Sequence, residues 1–283
     1  MDKKIVVWAA LTVATLLMTG CTQRADADAP PERQPPALLG QSKPSEAPSA
    51  ADPEAAATAA YARWGLKPFR TPPPPPKVKP ENRQPGGQVP VISDIETTEK
   101  IVFITIDDGA EKDPEFVRMM NDLKIPVTMF LTDSAIRTDY GYFGKLAAQG
   151  HGVANHTLSH PNLRTLGPEA QRREICGQQQ KLKQQYGEAP RLFRPPYGNW
   201  NEATRTAAGT CGVDAIVLWR ESMQIKNMQY QRGDKKLHPG DIILAHFRGP
   251  AELKGTTMTK MTANMLRHIQ DQGFTVARLE DYV

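Results

Sequence analysis

Ile101-Val102-Phe103-Ile104-Thr105-Ile106-Asp107-Asp108-Gly109 is a short, β-branched run that ends in two adjacent carboxylates and a glycine. Its lack of polar alternation predicts a parallel strand buried on both faces. The glycine lets the chain turn away, so both acids are delivered to the edge of a sheet. Carboxylates placed there cost desolvation unless a metal or a cation compensates. The run therefore predicts a site as well as a strand.

Working outward, strands are expected at residues 127–132, 152–155, 192–194, 214–219, 242–246 and 274–279. Helices are expected between them, at 140–149, 168–186, 201–211 and 258–272, and after Asp113-Pro114-Glu115. That tripeptide combines a capping residue, a proline in the first turn and an acid. Phe116, Val117, Met120 and Leu123 then share one apolar face. Seven βα repeats predict a parallel sheet, either doubly wound or curled into a barrel, and seven strands suit an incomplete (β/α)7 barrel.

The preceding residues read differently. Lys3-Lys4, an apolar run from Ile5 to Met18 and Thr19-Gly20-Cys21 have the layout of a signal segment over residues 1–20. The small residues before Cys21 resemble a lipobox, so Cys21 is the expected site of diacylation and of a membrane anchor. Residues 22–98 hold 16 of the 25 prolines, with Tyr61, Trp64 and Phe69 as the only aromatics. Such a segment is too poor in apolar surface to fold alone, so residues 21–97 are expected to form a tether, stiff at Pro72–Pro76. The folded domain is expected from 98 to 283, exported and held at the extracytoplasmic face of the cell membrane.

The net charge is only +4, with no basic stripe carrying interleaved aromatics, so nucleic acid is not an expected partner. The chain is expected to act as a monomer. Besides Cys21, Cys176 and Cys211 remain, and they could form a disulfide or stay as two buried thiols.

Barrel enzymes place their chemistry at the C-terminal ends of strands. Here those ends carry Asp107-Asp108, Asn155-His156 running on to His160, Arg194-Pro195-Pro196-Tyr197-Gly198, and His246. His156 and His160 are four apart, so on one helical turn both imidazoles face the same way. With Asp108 they make a three-ligand set that leaves open positions, as a catalytic zinc requires. Asp107 is then the second carboxylate, free to act as a base. His151, His238 and His268 are expected to face solvent or bond locally.

The motifs Thr105-Ile106-Asp107-Asp108-Gly109, His156-Thr157-Leu158-Ser159-His160, Arg194-Pro195-Pro196-Tyr197-Gly198 and Leu244-Ala245-His246 resemble four of the five motifs of the polysaccharide deacetylases. That family carries the NodB homology domain (carbohydrate esterase family 4), and the resemblance spans residues 99–283. It implies a distorted (β/α) barrel, a divalent metal (Zn2+, with Co2+ or Ni2+ as alternatives) and hydrolysis of N-acetyl groups on a glycan. It further implies that Asp107 is the general base, that Asp108, His156 and His160 hold the metal, and that His246 is the general acid. Arg194 matches the residue that orients the base and Tyr197 a backbone oxyanion donor; Leu244 matches a wall of the acetyl pocket.

The fourth motif departs from the pattern. Around Leu218-Trp219-Arg220-Glu221-Ser222 no aspartate stands where the family has one to tune the catalytic histidine. Glu221 is the first substitute and Asp241 the second; without either, His246 is less basic and its tautomer less fixed. Trp219 either walls the site or belongs to the core.

The expected function is N-deacetylation of a GlcNAc- or MurNAc-containing envelope glycan, above all peptidoglycan. The alternatives are an O-acetyl polysaccharide esterase and a glycan-binding pseudoenzyme.

Overall fold

The structure is a computed structural model that describes residues 53–81, 83 and 87–283. The expected signal segment and Cys21 lie outside the described residues. In chain order the elements are α1 (Pro53–Arg63), β1 (Val91–Ile92), β2 (Ile101–Asp108), α2 (Pro114–Leu123), β3 (Thr128–Leu131), α3 (Asp133–Ile136) and α4 (Tyr140–Ala148). There follow β4 (Gly152–Asn155), α5 (Pro168–Tyr186), β5 (Leu192–Phe193), α6 (Glu202–Thr210), β6 (Ala215–Val217), β7 (Glu221–Met223), β8 (Met228–Tyr230), β9 (Ile242–His246), α7 (Met258–Asp271) and β10 (Thr275–Val276).

The strands lie in the order β1-β6-β5-β4-β3-β2-β9-β7-β8, with β10 added to β2. Every pairing is parallel except the β7–β8 hairpin. The sheet is a distorted, incomplete barrel, as expected, but it is mixed and ten-stranded instead of seven-stranded. β1 has only two residues, and β7 and β8 form a hairpin of mixed polarity, so neither shows an apolar period. One edge of β2 is shared: β10 pairs with Ile101 and Val102, and β9 with Phe103 to Asp107.

β2 shows why an uninterrupted apolar strand was needed. Val102, Ile104 and Ile106 pack with the helix layer, against residues such as Phe116 of α2 and Met265 of α7. Ile101 and Phe103 point the other way, into a cluster with Phe130, Val217 and Tyr282 inside the curl of the sheet. Both faces are buried, and the period of two puts Thr105 and Asp107 on the inner face with Phe103. The helix after β2 starts as predicted: the Asp113 side chain accepts from the Glu115 N–H, and Pro114 occupies the first turn.

Two expectations need correction. Residues 53–70 are not a free tether. α1 packs on α2: the Tyr61 hydroxyl donates to the Leu123 carbonyl at 2.9 Å, and the Trp64 indole N–H donates to Asp122 at 2.9 Å. Leu66 and Tyr61 are buried in the domain core. The segment cannot build its own core, but three aromatics suffice to join one that already exists. His151 is not solvent-facing either. It is buried without a hydrogen bond on either ring nitrogen, and burial, helped by Arg278 and Lys124, lowers its pKa to about 4.

Cys176 in α5 and Cys211 at the end of α6 form a disulfide, which settles that alternative.

Candidate active site

The inner face of β2 meets a buried cation. Arg194, just past β5, is fully buried. Its Nη1 donates to Asp107 Oδ1 at 2.6 Å and to the Thr105 hydroxyl at 2.8 Å. Its Nε donates to the Val217 carbonyl at 2.9 Å and its Nη2 to the Leu218 carbonyl at 3.0 Å. The guanidinium lies 4.2 Å from the Phe130 ring centroid and 5.5 Å from that of Trp219. A buried charge is tolerated only when paired and hydrogen-bonded, and Arg194 is both. Trp219 is thus part of the cover over Arg194; Gly198 lies so close that an added Cβ would stand 3.0 Å from its ring.

Asp108 should follow the strand alternation onto the helix face. It does not, because its φ of 74° ends the strand in a left-handed turn. Its Oδ1 lies 3.5 Å from His156 Nε2 and 3.3 Å from His160 Nε2. The donor atoms of Asp108, His156 and His160 all lie within 4.8 Å of one another.

The two histidines come together in a way the spacing did not predict. Residues 156–160 form a loop, not a helical turn, with Thr157 at φ 73° and His160 at φ 58°. Non-glycine residues held there carry strain, which the surroundings must offset. Asn155 Oδ1 accepts from the Thr157 N–H at 2.8 Å, and the Thr157 hydroxyl accepts from the His160 N–H at 3.1 Å. Glu174 of α5 closes the loop from outside. Its carboxylate accepts from the Ser159 N–H at 2.9 Å and the Ser159 hydroxyl at 2.8 Å, and its carbonyl accepts from the Leu158 N–H at 3.2 Å. The sequence pattern flagged neither Asn155 as a brace nor Glu174. A strand-end asparagine beside a histidine motif is a usable hint; a glutamate on an exposed helix is not.

The donor set fits a divalent cation. His156 Nδ1 lies 2.7 Å from the Arg194 carbonyl, which can only accept, so Nδ1 carries the proton. In the neutral ring Nε2 is then a bare lone pair facing Asp108. Burial and the neighbouring His156 lower the pKa of His160. Burial opposes ionisation of Asp108, yet the positive charge that His156, His246 and His160 carry when protonated, the role a bound cation would take over, lowers its carboxyl to about 2. Its Oδ1 is buried with no hydrogen-bond partner among the described residues. Asp108, His156 and His160 together could hold a divalent cation, and the Arg194 carbonyl supplies the outer hydrogen bond that orients His156 as such a ligand.

His246 ends β9 in register with Asp107. Burial lowers its pKa, against the pull of Asp107 and Asp108. Neither expected substitute for the missing acid reaches it. Glu221 pairs in register with Ile243, well before His246, and Asp241 precedes the strand. Both belong to a separate cluster with Arg232, which lies 2.5 Å from Asp241 and 3.9 Å from Glu221. Burial and the Asp241 charge raise the Glu221 pKa well above the ordinary carboxylate range.

Leu244 is buried beside Thr105 in the β2–β9 ladder. Tyr197 has φ 62°, is 63% exposed, and sets its ring edge-on to His160 with centroids 4.8 Å apart.

Several known proteins share this arrangement of chain. A family model described as polysaccharide deacetylase matches residues 94–216. An uncharacterized protein of Streptomyces coelicolor is 42% identical over 195 residues, covering 69% of this chain and 77% of that protein. A peptidoglycan-N-acetylglucosamine deacetylase of Bacillus cereus is 31% identical, covering 55% of this chain and 58% of that one. Among solved structures, a family 4 carbohydrate esterase from Bacillus anthracis superposes with a TM-score of 0.57 at 22% identity, over 68% of this chain and 86% of that one, which supports the fold. The family match opens just before the strand that carries Asp107 and Asp108 and takes in both histidines, Arg194 and Tyr197; this stretch of the chain is a polysaccharide deacetylase domain.

Proposed function

We propose that the chain is a metal-dependent deacetylase of an N-acetylated cell-envelope glycan, with peptidoglycan as the leading substrate. The observation that carries the reading is the pairing of a three-ligand cation site with a second, separately braced carboxylate on the preceding residue. Asp108, His156 and His160 would hold the divalent ion, with Zn2+ the best match to a set of two imidazoles and one carboxylate, and Co2+ or Ni2+ as alternatives. When bound, such an ion polarises the acetyl carbonyl and acidifies water.

The chain's own residues supply the rest. Arg194 fixes Asp107 Oδ1, leaving Oδ2 turned to the site, 3.7 Å from His156 Nε2. That oxygen takes the proton of the water that attacks the acetyl carbon. The oxyanion that develops is met by the Tyr197 backbone N–H. His246 gives a proton to the glycan nitrogen as the C–N bond breaks, so acetate and a free amine leave.

A second reading draws on one feature, the missing carboxylate partner of His246. An ester releases an alcohol more readily than an amide releases an amine, so a weak acid side favours O-deacetylation.

The test is acetate release from N-acetylated and O-acetylated glycans, with and without a chelator. Release from the amide that stops on chelation and returns with Zn2+ supports the leading reading, and release confined to esters replaces it. Binding without release from any substrate would mean a glycan-binding pseudoenzyme. The same reading has the domain outside the cell, anchored through lipid on Cys21. Fatty-acid labelling that survives in a Cys21→Ser variant would overturn the anchor.

A further inference from the structure

One wall of the candidate site is built unlike the other. Beside His246, the β7–β8 hairpin and the segment following β9 frame a cleft of about 740 Å³, room for more than one sugar ring. Its lining includes Lys226 at the hairpin tip, Arg248 two residues beyond His246, and Lys254, against a single acid, Glu252. Glu252 lies 3.8 Å from Arg248. Lys226 and Lys254 are exposed and have no ion-pair partner among the described residues. The hairpin adds the amides of Gln224, Asn227 and Gln229, and among the described residues no Phe, Tyr or Trp lines the cleft. The exposed aromatic of the site, Tyr197, stands instead on the His160 side.

That asymmetry is informative about substrate. A neutral sugar ring offers C–H faces and hydroxyls, and it is held by aromatic faces and amides. A cleft with amides, three cations and no Phe, Tyr or Trp is suited to a saccharide that carries negative charge. Exposed cations act weakly one at a time but add up when they converge on one anion, and the gain fades with salt.

We propose that the cleft beside His246 binds a carboxylate carried on the glycan next to the sugar being deacetylated, with Lys226, Lys254 and Arg248 as its specificity residues. This rests on the deacetylase reading of the adjoining site. The shared chemistry is a sugar-borne carboxylate, supplied either by an ether-linked lactyl group on an amino sugar or by a uronate ring.

The experiment uses the full chain and matched pairs of N-acetylated glycans, each with its carboxylates free or blocked as amides. One pair bears lactyl groups and the other uronates. At low salt the ratio of kcat/KM for free over blocked glycan should be tenfold or more on at least one pair. It should shrink severalfold at 0.5 M salt and in a Lys226→Gln/Lys254→Gln variant. The pair that shows the ratio identifies the source. A ratio near one on both pairs, with acetate released from all four glycans, overturns the inference and leaves the deacetylase reading intact. If no glycan releases acetate, that reading fails on its own, and calorimetric titration of the same pairs decides the cleft. Tighter binding of the free carboxylate supports it, and equal binding overturns it.

Discussion

The two halves of the candidate site are held with very different rigidity. On the base side, Asp107 and Asp108 leave β2 in opposite conformations and each meets a built partner. Arg194 spans Thr105, Asp107 and two carbonyls from the far side of the barrel, and α5 braces the histidine loop through Glu174 and Asn155. On the acid side, His246 ends its strand beside an open cleft, and the two nearby acids of the sequence belong to another cluster. A catalytic group whose orientation is over-determined should tolerate substitution worst, so the contrast can be broken or sharpened by mutation.

The largest expected difference lies between the two residues proposed to transfer protons. Asp107→Asn should lower kcat about 10⁴-fold while metal content stays near one ion per chain; His246→Gln, whose side chain has no ion pair among the described residues, should lose only about 10²-fold. Single-turnover acetate release measures both, and equal losses would erase the asymmetry. Next comes Arg194→Met, which leaves Asp107 buried without its cation. Stability should fall by roughly 3–5 kcal/mol, read from chemical denaturation, because an uncompensated buried charge is expensive. A loss within about 1 kcal/mol would show that Arg194 is not the compensating charge.

Smaller effects are expected further out. Glu174→Gln should weaken Zn2+ affinity about 10-fold, the lower end for an outer support of a metal ligand. Competition with a chromophoric chelator reads this directly, and unchanged affinity would mean that the loop holds itself. The smallest effect concerns Glu221, away from the chemistry. Burial and the neighbouring Asp241 charge raise its carboxyl above the ordinary carboxylate value, so the folded state holds a proton there that the unfolded state releases. That contribution is full below the ordinary carboxylate range and is lost as pH rises through the raised value. Glu221→Gln should therefore narrow the fall in melting temperature between pH 5 and 9 by a few degrees. Parallel melting curves would place Glu221 as an ion already paired.

Much of this was legible in the chain. Both faces of β2 are buried, so its apolar run could be read directly, and β4, β9 and α5 begin and end where the pattern placed them. Other features were not legible because their cause lies outside the segment. β7 and β8 pair with each other across a polar loop, and their stability comes from β9. α1 lacks a core of its own and borrows one from α2, so composition alone mistook it for tether. The histidines are four apart, which suggests a helix, but two left-handed residues and a glutamate from α5 set their geometry instead.

By itself the sequence determined which residues stand at strand ends, because a period of two and an apolar run are local properties. It therefore determined the candidate ligand types and the two adjacent aspartates. Only the tertiary structure decided which partners they meet. Arg194 lies 87 residues from Asp107, and a charge can be buried only where the folded chain brings a partner to it. The same holds for His246 and the two expected substitutes: the sheet register puts Glu221 and Asp241 toward the far end of its strand.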